Sequence, residues 1–275
     1  MNRFFLKLFA ITVVLANLVS CEENLMPDEN PDDLLFKSAS IDKITYIVVL
    51  DDAELNAELS KIKGYENKQE VMKSASDKIL KRAGVLDGEI GYVYGTALQG
   101  FSVKIPPGQL KKLEADASVK FIEENQVATL ILPDVNIKKK PAPTPPSEST
   151  PWGVARVNGG VDGTGKTAWI IDTGIDLDHK DLNVDQTRGK SFVVGITSPD
   201  DDNGHGTHCA GIVGAIKDNG IGVIGVAANA TVVPVKVLNR RGSGTYDAII
   251  AGVDYVAANA TSGDVANMSL GGGYS

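Results

Sequence analysis

Residues 167–174 read TAWIIDTG, an aromatic and β-branched run that breaks off at an aspartate and closes on glycine. A short unbroken apolar stretch of this kind makes a strand buried on both faces, and Asp172-Thr173-Gly174 is where the chain turns out of it. Two further runs lie downstream, VVPVKVL at 232–238 and VANMSL at 265–270. Helical patterns fall between them: HGTHCAGIVGAI at 205–216, rich in small residues and opened by a histidine, and residues 246–259. Strands alternating with helices predict an α/β domain around a mostly parallel sheet over residues 152–275. In such sheets functional groups gather just beyond the carboxyl ends of the strands, which puts Asp172 and residues 267–273 at one working edge.

All three histidines, His179, His205 and His208, belong to this segment. If Asp172 meets His205, the carboxylate can accept the imidazole Nδ1 proton, fix the tautomer and stabilise the imidazolium. Spacing alone leaves these two as either such a pair or unrelated residues. A rival reading is zinc, because His205, His208 and Cys209 stand at i, i+3 and i+4 on one helix. Gly206 and Ala210-Gly211 speak against it, since they suit a tightly packed helix with Cys209 buried as a small apolar group. The glycine strings GGVDGTG and GIGVIG do not lie between a strand and a helix in the register of a phosphate loop.

Towards the N-terminus, residues 133–151 hold six prolines and no apolar periodicity, and read as an extended linker. Before it, residues 44–132 form a second unit. ITYIVVL at 44–50 is a strand, and Asp51 and Asp52 can cap the helix that follows. Residues 53–83 are helical in composition and divided by Gly64; strands are expected at 90–94 and 101–105, a helix at 109–115 and a strand over 119–132. The order β-α-β-β-α-β is that of a ferredoxin-like α+β unit, and no motif inside it carries chemistry.

Residues 1–21 read as an export leader, with Arg3 and Lys7 ahead of an apolar run from Leu8 to Val19 that is short for a membrane span. Leu18-Val19-Ser20-Cys21 resembles a bacterial lipobox, which would make Cys21 a lipidation site and membrane anchor. An ordinary leader with an incidental Cys21 is the alternative. Either way the chain is expected to be extracytoplasmic. Residues 22–43 are an acidic tether. Two cysteines cannot build a disulfide framework, and the net charge of -8 (27 Lys+Arg against 35 Asp+Glu) argues against a nucleic-acid partner.

Four segments together resemble the subtilisin family of serine endopeptidases, leaning towards its proteinase K branch: AWIIDTGIDLDHKDL (168–182), DDNGHGTHCAGIVGA (201–215), VPVKVLNRRGSGTYDAIIAGVDYV (233–256) and NMSLGGGYS (267–275). Residues 44–132 resemble the family's inhibitor prodomain, through YIVVL, VYGTALQGFSVKI and VKFIEENQV. The resemblance implies a ferredoxin-like prodomain followed by the first half of a subtilisin-like parallel-sheet α/β domain. It assigns Asp172 and His205 to the catalytic triad. Gly242, Ser243 and Gly244, with Ser269, Leu270 and Gly271, would flank an extended polypeptide substrate, and Leu238 and Tyr246 would line apolar subsites. The prodomain would act as an intramolecular inhibitor.

The family's nucleophile in a G-T-S-x-A setting and its oxyanion-hole asparagine have no match within residues 1–275, since neither Gly163-Thr164 nor Gly206-Thr207 precedes a serine. The 275-residue chain is therefore expected to be inactive by itself, a precursor without its C-terminal half. The alternative is a non-catalytic product whose prodomain binds and inhibits related proteases. The resemblance also implies a structural calcium ion held by the Asp181 carboxylate, the Asn219 side chain, the carbonyls of Lys217, Ile221 and Val223, and Glu148. An ordinary Asp-Asn-Gly turn at 218–220 accounts for the same residues without an ion. No organic cofactor is implied.

Overall fold

The computed structural model describes residues 42–130 and 147–271. The leader, most of the acidic tether, Cys21, most of the proline-rich linker and residues 272–275 lie outside the described residues. Residues from Asp42 onward belong to one compact unit. Among the described residues no helix is long and apolar enough to cross a membrane.

The N-terminal region is a four-stranded antiparallel sheet with helices on one face. Strand β1 (Ile44–Leu50) leads into α1 (Ala53–Leu59), whose first turn is capped by the Asp52 carboxylate accepting from Glu54 N and Leu55 N at 3.1 and 3.0 Å. Gly64, at φ 86°, starts α2 (Tyr65–Arg82). Then come β2 (Glu89–Tyr94), β3 (Gly100–Ile105), the short helix α3 (Leu110–Glu114) and β4 (Val119–Glu124). The sheet order β2-β3-β1-β4 is the ferredoxin-like one.

Period-two alternation divides β1 between two cores. Tyr46, Val48 and Leu50 pack with Leu55, Met72 and Phe101 beneath the helices, while Ile47 and Val49 face a different cluster. The expected strand over 119–132 is in fact two. After β4 the chain leaves the sheet at Asn125-Gln126 and resumes as β5 (Val127–Thr129), paired elsewhere. Asn125 turns it: its N–H still donates to Thr45 O, while its side-chain oxygen accepts from Asp247 N at 3.0 Å.

The second region opens with α4 (Trp152–Arg156) and β6 (Val161–Asp162), followed by β7 (Thr167–Asp172), β8 (Asn183–Val184) and β9 (Lys190–Ser191). Helix α5 (His205–Gly214), β10 (Ala227–Ala228), β11 (Thr231–Lys236), β12 (Ser243–Thr245), α6 (Tyr246–Asn259) and β13 (Val265–Asn267) complete it. The sheet β13-β7-β11-β8, with β9 also on β11, is wholly parallel. Its central strands β7 and β11 are buried on both faces, as their continuous apolar sequences require. Trp169 and Ile171 pack towards α6 with Val233 and Val235; Ala168 and Ile170 pack with Cys209 and Ala210 of α5. Ile47, Tyr94 and Ala128 of the N-terminal region belong to the α6 cluster, so the two regions share a core.

Candidate active site

Asp172 ends β7 and His205 begins α5, and the structure brings them together: His205 Nδ1 lies 2.7 Å from Asp172 Oδ1. The carboxylate is wholly buried, while a fifth of the imidazole is exposed. Contact depends on a close approach of α5 to the loop after β7. A methyl group on Gly206 would run into the Gly174 carbonyl, so only glycine seats the helix there. Thr173 N donates to the same Asp172 oxygen at 2.7 Å, and among the described residues Oδ2 has no hydrogen-bond partner. A carboxylate with its charge on His205 Nδ1 leaves Nε2 as the basic, accessible nitrogen.

The zinc alternative is not what the geometry forms. Asp172, His205 and Cys209 are the grouped side chains, and His208 points away, lining an apolar groove of 790 Å³ with Trp152, Val157 and Ile212. Cys209 is buried, with its sulfur 3.9 and 4.0 Å from the two ring nitrogens of His205. Near-equal distances to both nitrogens place the thiol against the ring rather than on a lone pair. Burial pushes this thiol up from its ordinary pKa, and the Asp172 charge adds to that.

Beside the pair runs a strand that already holds an extended peptide. Val127–Thr129 pairs antiparallel with Ser243–Thr245, in the register Thr129 to Ser243, Ala128 to Gly244 and Val127 to Thr245. Leu130 N extends the ladder to Gly242 O at 2.9 Å, and Tyr246 N donates to Gln126 O at 2.9 Å. Gly244 allows this edge to lie flat, because a side chain there would strike the Val237 carbonyl. Ala128 and Leu130 pack into a cluster containing Leu238, Tyr246 and Leu270. Five of the eight sequence-derived substrate residues, Gly242, Ser243, Gly244, Leu238 and Tyr246, thus surround the tail. Leu270 joins through packing, whereas Ser269 and Gly271 are exposed and give the tail no backbone hydrogen bond among the described residues.

Sequence reasoning missed the groups that dock the N-terminal region. Asp254 on α6 has no exposure, and its carboxylate accepts from Thr96 N and Ala97 N at 2.7 Å and from Gly95 N and Gln69 Nε2 at 3.2 Å. Lys190 reaches Glu66 at 3.0 Å and lies over the Tyr65 ring, 4.6 Å from its centroid. A hint was present in the helical pattern: Asp247 and Asp254 are seven apart, on one face of an otherwise apolar helix.

The residues tied above to calcium also converge. Asp181, 5% exposed, accepts from Asn219 Nδ2 at 2.6 Å and Val223 N at 3.1 Å, and Glu148 accepts from Asn219 N at 3.1 Å. Ser149 bridges to Val223, tying residues 148–149 to this loop. Among the described residues the carbonyls of Lys217, Ile221 and Val223 accept no hydrogen bond, and the Lys217 amine turns away towards Gly160 O.

Comparison with known proteins agrees with this arrangement. Residues 163–275 match the subtilase family, and residues 45–130 match peptidase inhibitor I9. The chain is 33% identical over 273 residues to an alkaline serine exoprotease A of Vibrio alginolyticus, covering 93% of this chain and 46% of that one. It is 38% identical over 220 residues to the subtilisin-like serine protease AsES of Sarocladium strictum, covering 74% and 50%. With an alkaline protease of Alkalihalobacillus alcalophilus it shares 39% over 176 residues, covering 62% and 41%. The chain spans about half the length of these curated relatives. The chain thus joins a peptidase inhibitor I9 prodomain to part of a subtilase-family α/β peptidase domain.

Proposed function

We propose that this chain is part of the precursor of an exported serine endopeptidase, held inactive by its own prodomain. One observation carries the reading: the 2.7 Å Asp172–His205 pair stands beside an edge strand on which an extended peptide is already paired. In this mechanism Asp172 holds the imidazole proton on Nδ1, so that Nε2 can take the proton of a serine hydroxyl and return it to the leaving amine. Backbone groups of residues 242–244 bind the substrate main chain with little choice of sequence, and Leu238 and Tyr246 give an apolar subsite. The tail at 127–130 takes that place in the manner of a product. Export follows from the leader, with Cys21 as a lipid attachment point.

The test is expression of the full coding frame that contains these residues, with peptide hydrolysis as the readout. His205→Ala and Asp172→Asn are each expected to lower turnover by roughly 10⁴-fold. Unchanged turnover in either variant would overturn the assignment. A frame with no downstream G-T-S-x-A serine would leave the inhibitor reading, which the pairing of the tail with β12 favours.

We further propose that the Asp181–Asn219 loop takes a calcium ion. The three carbonyls without hydrogen bonds, the buried Asp181 carboxylate and Glu148 form an oxygen-only donor set suited to a hard cation. The ion would tie residues 148–149 to the domain. Calcium at a hundredfold excess over its dissociation constant should add about 2.7 kcal/mol of stability. A thermal midpoint that is the same in calcium and in chelator, or a calcium shift that survives Asp181→Ala, would reject it.

A further inference from the structure

The dyad of Asp172 and His205 has little of its own to hold it in place. Among the described residues both hydrogen bonds on the carboxylate side fall on Oδ1, from Thr173 N and His205 Nδ1, and none falls on Oδ2. The spacing between the two side chains must therefore be set by whatever fixes the end of β7 against the start of α5.

A single carboxylate joins those two places. Asp201 Oδ1 accepts from Thr173 Oγ1 at 2.9 Å, Asn203 N at 3.0 Å and Gly204 N at 2.9 Å. Its Oδ2 accepts from Thr207 N at 2.9 Å and from Thr207 Oγ1 at 2.5 Å. Thr173 Oγ1 in turn accepts from Gly206 N at 2.9 Å. The residue after Asp172 and the residues on both sides of His205 thus hang on one group, directly or through one hydroxyl. Thr173 is fully buried, so its hydroxyl has no water to turn to. A plain helix cap would bond only the N–H groups of the first turn. The branch to Thr173, on a different element, is what a cap does not need.

We propose that Asp201 is a positioning residue of the catalytic dyad, acting through Thr173 and the first turn of α5 to hold His205 Nδ1 on Asp172. The proposal rests on the dyad reading above. Burial works against the charge of Asp201, but the hydrogen bonds from Gly204, Thr207 and Asn203 outweigh it and keep the carboxyl below its ordinary value. The group is therefore ionised, and a strong acceptor, wherever the dyad would work.

The test is proton and nitrogen NMR of the 275-residue chain, following the low-field signal of an imidazole Nδ1 proton held by a carboxylate and assigned by its loss in His205→Ala. The signal should be present in the wild type and in Thr173→Ser, which keeps the hydroxyl. It should be lost in Asp201→Ala and in Thr173→Val while helical circular dichroism is retained. Asp185→Ala, which removes an unrelated loop carboxylate, serves as the stability control and should keep it. Persistence of the signal in Asp201→Ala and Thr173→Val would reduce Asp201 to a helix cap and overturn the proposal. Should Asp201→Ala fail to fold, the Thr173 pair decides alone. Absence of the signal in the wild type would instead refute the dyad itself, and this proposal with it.

Discussion

Asp185 accepts from Thr187 N and Oγ1 and from Arg188 N and Nε, all within one tight loop beside the parallel sheet. Burial opposes its charge, yet these bonds hold its carboxyl down from 3.8 to about 2. A carboxyl lowered by folding adds stability that is complete above its unfolded value, about pH 4, and is lost as pH falls through the folded one. Asp185→Asn should therefore cost about 1 to 2 kcal/mol at pH 7, after allowing for solvent screening, and much less near pH 2. Urea unfolding at the two pH values measures it, and an equal cost at both would refute the linkage. Arg82 and Asp116 make a two-pronged pair at 2.7 Å in the prodomain, but Arg82 is more than half exposed. Arg82→Ala is expected to cost only about 1 kcal/mol, read from the same unfolding curves. A cost above 3 kcal/mol would show that the arginine serves a further role.

Strands β5 and β12, three residues each, decide how the prodomain ends. Ala128 is 2% exposed against the α6 cluster, and a carboxylate in its place would be buried without a partner. Ala128→Asp should release the tail while leaving the ferredoxin-like sheet intact, so limited proteolysis after Asn125 should quicken without loss of circular dichroism. An unchanged cleavage pattern would mean that the tail is held by its backbone bonds alone. These elements also show where the sequence was readable. TAWIID and the pattern at 246–259 announced β7 and α6 because most of their side chains pack into apolar clusters. Asp172 and His205 were legible as candidates from a strand end and a helix start. Spacing alone left their union open, because it depends on Gly206 sliding under the Gly174 carbonyl, and only the family resemblance implied it. The break at Asn125-Gln126 was hidden for a similar reason. VKFIEENQVATL has strand character throughout, and only the distant Asp247 N–H decides that Asn125 bends the chain. Asp254 stood out only as a charge on an apolar helix, and its partners were hidden, since nothing near it in sequence states that three N–H groups from residues 95–97 will meet it.

Taken as one molecule, residues 42–130 and 147–271 are joined by a common apolar cluster and by polar anchors with long sequence separation. Asp254 is the strongest of these by count, with four donors from the prodomain. After the linker is cut, Asp254→Ala should weaken prodomain binding on the order of a hundredfold, because it strands buried N–H groups at about 1 to 3 kcal/mol each. Calorimetric titration of the two pieces would measure this, and a loss below threefold would show that water replaces the carboxylate. The pairing of β5 on β12 has a further outcome for the molecule in a crowded exterior. Ser243–Thr245 has its main-chain groups paired with the tail, and pairing of that kind does not depend on side chains. When the tail departs, that edge is open to pair with a neighbouring copy of the chain, so the docked tail also guards the colloidal stability of the protein.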